Sequence, residues 1–82
     1  MDVKEFQSLP EDEQVWILYE QGVYIGKKYG KYISLLYQLE GFYVEIFYRS
    51  YRKHIYRMVY SDSTTILDPY LEQISIELES VM

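Results

Sequence analysis

A chain of 82 residues with 49% apolar and 18% aromatic content is too hydrophobic to be disordered, and it is short enough to form a single domain spanning 1–82. With no cysteine there are no disulfides or thiolate metal sites, and no run of about 18 apolar residues is present to cross a membrane. The net charge of −5 is unevenly spread: residues 1–22 carry six acids and one lysine, 23–57 seven bases and two acids, and 58–82 five acids and no base.

Asp2 with Glu5 forms a capping box for a short turn through Phe6. Ser8 with Glu11 forms a second, and Pro10 sits in the first turn, where its missing N–H costs little. This helix is predicted to run to about Gln21, with Gly22 as a left-handed terminator. Its apolar stripe reads Val15, Trp16, Leu18 and Tyr19, with Ile17 toward the edge. Glu11, Asp12 and Glu13 lie at the positive end of the helix dipole, so they need no catalytic explanation.

Val23 to Tyr29 reads as the first strand, with Ile25 opposite Tyr37 and Gly26 marking a bulge or a close backbone approach. The stretch from Lys31 to Arg49 is a hairpin closed by Glu40-Gly41. Pairing across it sets Leu39 against Phe42, Tyr37 against Val44, Leu35 against Ile46 and Ile33 against Tyr48, all on one face. A slip of one residue turns polar groups inward, so the pattern fixes its register. Gly41 suits the positive φ of a primed turn.

A fourth strand, His54 to Ser61, follows a polar turn near Ser50 to Lys53. A three-residue loop places Tyr56, Met58 and Tyr60 on the core face beside Tyr48, Ile46 and Val44. A two-residue loop turns Ile55 and Val59 inward and brings Arg57 with them, a costly burial, so the first register is preferred. Ser61 to Thr65 is rich in capping residues, and Pro69 requires the second helix to start between Thr65 and Asp68. Tyr70, Leu71 and Ile74 supply its stripe. Residues 74–78, ISIEL, fit an extended tail as well as more helix. The expected fold is α+β: a four-stranded antiparallel meander sheet with the N- and C-terminal helices packed on one face.

The segments LPEDEQ, LLYQLEGFYVEIFY and ILDPYLEQI together resemble a family of small bacterial proteins found in Bacteroides and Cytophaga relatives. The resemblance runs from about Phe6 to Ile76 and implies a compact α+β protein. The family has no assigned activity, so no functional residue carries over. The turn SYRKH is more basic here than in that family.

Three functional readings follow. The sheet face opposite the helices carries Tyr32, Leu36, Tyr43, Glu45 and Phe47, a surface suited to a protein partner and most economically to a homodimer. The stretch from Tyr48 to Arg57 interleaves tyrosines with bases, so Arg49, Arg52, Lys53 and Arg57 form a candidate anion or nucleic-acid contact. A sequence pI of about 4.7 counts against a dedicated nucleic-acid binder. The third reading is a small-ligand carrier or enzyme with a Tyr-lined pocket. No catalytic residue, cofactor or metal is expected: His54 is the only histidine, no triad or glycine-rich loop appears, and Glu45 reads as a surface ion pair with Arg49 or Arg57. The unequal charge fits either neutralisation between packed layers or a positive sheet surface. The acidic start MDVKEFQSLPEDEQ has no hydrophobic run, so a secretion signal is not expected and a cytoplasmic location is.

Overall fold

The computed structural model describes residues 1–50 and 54–71. Asp2 caps the first helix, α1 (Val3–Gln7), by accepting from the Glu5 amide at 2.9 Å. Ser8 closes α1 instead of opening the next helix, and its hydroxyl donates to the Glu5 carbonyl at 2.7 Å. The second helix, α2 (Glu11–Gln21), begins from Pro10, whose ψ of 151° holds the chain extended up to the first helical residue. Gly22 is not left-handed. At φ −76° and ψ 152° it leaves the helix extended, and a Cβ there would stand 2.6 Å from the Leu18 carbonyl oxygen. Glycine is required by that close approach.

Four strands follow in an antiparallel meander of order β1-β2-β3-β4: β1 (Val23–Lys28), β2 (Ile33–Leu39), β3 (Phe42–Ser50) and β4 (His54–Ser61). The β2–β3 pairing is the expected one throughout, from Leu39 opposite Phe42 to Ile33 opposite Tyr48. In the turn, the left-handed conformation falls on Glu40, at φ 53°, and not on Gly41. The β1 register departs from expectation. Tyr24 faces Tyr37 and Gly26 faces Leu36, so Ile25 is the extra residue of a bulge beside the glycine.

The core lies on one side of the sheet. Leu35, Tyr37, Leu39, Phe42, Val44, Ile46 and Tyr48 meet Phe6 from α1 and Leu18 from α2. Phe6 packs against Phe42 and Tyr60 at centroid distances of 5.6 and 6.0 Å. Trp16 and Tyr19, placed in the apolar stripe by sequence, are 64% and 49% exposed. Gln14 takes the inward position instead. Its amide accepts from the Tyr60 hydroxyl at 2.6 Å and donates to the Leu9 carbonyl at 2.8 Å, so a polar side chain is buried without an unmet hydrogen bond.

The α+β class and the antiparallel meander stand, but the C-terminal helical segment does not share a face with the N-terminal helices. Thr64–Tyr70 is a 3-10 helix capped by Ser63, and its Tyr70 is fully buried against Ser34 and Glu45. Glu45 pairs with Leu36, while the core residues Leu35 and Tyr37 alternate with Leu36 along β2. Tyr70 therefore lies on the far side of the sheet. Pro69, inside this helix and next to Tyr70, has no N–H to give to a regular α-helical ladder. The predicted continuation through Ile74 and the tail at 74–82 fall outside the described residues.

Candidate functional site

Strand alternation places two features on the far face of the sheet. The first is a closed polar cluster. The Tyr70 hydroxyl donates to Glu45 Oε2 at 2.5 Å and shares a 2.9 Å hydrogen bond with Ser34 Oγ. The Lys28 ammonium approaches the same carboxylate oxygen at 3.9 Å and sits 5.7 Å from the Tyr70 ring centroid. Burial, followed by the hydrogen bond to Glu45, pushes the Tyr70 hydroxyl well above the ordinary tyrosine range. A hydroxyl held protonated in this way serves as a fixed donor and not as a base.

This cluster revises two members of the sequence-predicted interface. Leu36 and Glu45, expected on an open partner surface, are buried within the chain itself. Glu45 pairs with Lys28 and Tyr70, not with Arg49 or Arg57. Tyr32, Tyr43 and Phe47 remain partly exposed on the same face.

The second feature lies where β3 meets β4. From Tyr43 opposite Ser61 to Phe47 opposite Arg57 the ladder is regular. It then places Tyr48 opposite Ile55 and Ser50 opposite His54. Stepping from Phe47 to Tyr48 takes one residue on β3 but two on β4, and the next step reverses this count. Two bulges of opposite sense therefore flank the Tyr48–Ile55 pair, and their extra residues are Tyr56 and Arg49. Ile55 packs against the core where Tyr56 was expected, and Tyr56 is turned out to 42% exposure. Both registers considered from sequence were half right: Met58 and Tyr60 face inward, Ile55 does too, and Arg57 is left outside.

The two extra residues meet. The Arg49 guanidinium lies 5.3 Å from the Tyr56 ring centroid, and Tyr56 packs against Tyr32 with centroids 4.3 Å apart and the rings tilted by 36°. Beside them the Arg57 guanidinium lies 5.2 Å from the Phe47 ring. A surface hollow of about 510 Å³ is lined by Arg49, His54, Ile55 and Tyr56, and one of about 260 Å³ by Tyr32, Phe47, Tyr56 and Arg57. Residues the sequence assigned to two separate sites, Tyr32 and Phe47 to one and Arg49 and Arg57 to the other, thus form a single cluster. Arg52 and Lys53 fall outside the described residues.

Sequence reasoning missed Tyr56, Tyr70 and Lys28. Only Tyr56 left a signal: Ile55 and Arg57 are both suited to opposite faces, yet strict alternation puts them on one. Among the described residues no group of three or more His, Asp or Glu side chains is placed to hold a metal ion, and no helix is long and apolar enough to cross a membrane. A search with protein-family models, curated proteins and solved structures finds no match to this chain.

Proposed function

We propose that this chain is a small non-catalytic protein-interaction module of the cytoplasm, akin to the Bacteroides and Cytophaga family it resembles. The observation that carries this reading is the part of the far sheet face that no described element covers, where Tyr32, Tyr43 and Phe47 stay partly exposed beside the buried Tyr70 cluster. Aromatic side chains are enriched at the centres of protein interfaces, where they bury much area at little entropic cost.

Self-association is the economical form, because an isologous contact needs one surface only. Such a contact sets each residue near its own copy, so like charges close to the axis repel. The axis therefore belongs near Tyr43, whose cross-strand neighbours Gln38 and Ser61 are uncharged, and away from Phe47, which faces Arg57. Light scattering on wild type, Tyr43→Glu and Phe47→Glu tests this. A wild-type dimer that becomes monomeric in Tyr43→Glu supports it. A monomeric wild type at 100 μM removes self-association, and a dimer unaffected by both substitutions places the contact elsewhere.

A further inference from the structure

We infer that the Arg49–Tyr56–Arg57 cluster is a docking site for an acidic polypeptide segment, read through its carboxylates. The inference deepens the interaction reading by naming the chemistry of a partner. It does not depend on whether the chain dimerises through Tyr43.

The first argument is electrostatic. The sequence allowed the excess of bases in residues 23–57 to be neutralised by the acidic segments on either side of it, packed as a second layer. The fold keeps α2 from doing so, because that helix packs on the core side of the sheet through Leu18, whereas Arg49 and Arg57 lie on the far side with Tyr56 and Phe47. The one carboxylate buried on the far side, Glu45, is engaged by Tyr70 and Lys28. Among the described residues no carboxylate lies within ion-pair distance of either guanidinium. Two permanent cations thus share one surface, with no carboxylate among the described residues paired with either.

The second argument concerns what the rings leave available. A guanidinium lying on a ring directs its N–H groups outward in its own plane, the geometry that grips a carboxylate with two parallel hydrogen bonds. The rings supply that support at the expense of their own faces. Tyr56 meets both Arg49 and Tyr32, and Phe47 carries Arg57. Platforms for stacked bases are thereby used within the chain, and the acidic pI counts further against nucleic acid. What remains is a pair of exposed guanidinium groups lining two hollows that share Tyr56, suited to an extended segment carrying acidic side chains. Arg and Tyr are also the residues most often found at the energetic centre of protein interfaces.

The test uses the full chain and a fluorescein-labelled hexaglutamate peptide, with hexaglutamine as the uncharged control. Anisotropy is expected to show hexaglutamate binding that weakens at least tenfold between 50 and 200 mM salt and at least tenfold in Arg49→Gln/Arg57→Gln. Both arginines are exposed, so circular dichroism of this variant should match wild type. Lys4→Gln, on the exposed side of α1, should change binding less than twofold, which separates a defined site from general attraction. Equal binding of hexaglutamate and hexaglutamine overturns the inference, as does a double variant that binds as wild type does. A six-nucleotide single strand that binds more tightly than hexaglutamate overturns it in favour of nucleic acid. Binding that appears only in Glu77→Gln/Glu79→Gln overturns it in favour of the chain's own acids. Solution mass reports on self-association separately, so either result can fail while the other holds.

Discussion

The Tyr70 hydroxyl is the hinge between the C-terminal segment and the sheet: it donates to Glu45 Oε2 at 2.5 Å while sharing a second hydrogen bond with Ser34. Tyr70→Phe removes the closest donor to a buried carboxylate and leaves it with Lys28 at 3.9 Å. The expected loss is about 1.5–3 kcal/mol, the range for a hydrogen bond to a charged group. Urea unfolding measures it. Glu45→Gln in the Tyr70→Phe background should cost less than in wild type, because the two residues share one interaction.

Alkali should destabilise the fold more steeply than an average protein. Tyr70 is held protonated above its ordinary value of 10.0 chiefly by burial, and Tyr60 is raised for the same reason. Once the pH passes 10, the unfolded chain releases these protons and the native state keeps them, so stability is complete below that value and falls above it. One fully retained proton contributes at most about 1.4 kcal/mol per pH unit. Urea midpoints between pH 8 and 11 should decline less steeply in Tyr70→Phe than in wild type.

Gly22→Ala separates two effects of opposite sign. At a negative φ the substitution ordinarily stabilises by about 0.4–1 kcal/mol through the unfolded chain. Here the new Cβ meets the Leu18 carbonyl oxygen at 2.6 Å, a backbone atom that cannot swing aside. The clash should win, with a net loss of about 1–3 kcal/mol. A thermal midpoint at or above wild type would show that the end of α2 yields.

Leu18 and Trp16 lie two residues apart on α2, and their substitutions should differ sharply. Leu18→Ala opens the core and should cost about 2–5 kcal/mol, whereas Trp16→Ala, at an exposed position, should stay within about 0.5 kcal/mol. Denaturant midpoints for the two variants check this.

The same helix shows where the sequence is legible. The β2–β3 hairpin could be paired residue by residue, because its apolar positions alternate without a break and each slip carries a visible penalty. The α2 stripe could not, because Gln14 counts as polar until Tyr60, 46 residues away, supplies its partner. Burial of Ser34 and Glu45 was hidden in the same way behind Tyr70. The candidate site was half legible: its arginines and rings were picked out individually, but their assembly depends on two bulges that no single strand announces.

Those bulges cancel, and this constrains how the chain can vary. Losing Tyr56 alone, or Arg49 alone, throws the Ser50–His54 end of the hairpin one step out of phase with the rest of the sheet. Losing both closes the ladder again and erases the cation–ring contact in the same event. The contact and the insertion that created it are thus a matched pair in the sequence, gained or discarded together at no cost in phase to the strands on either side.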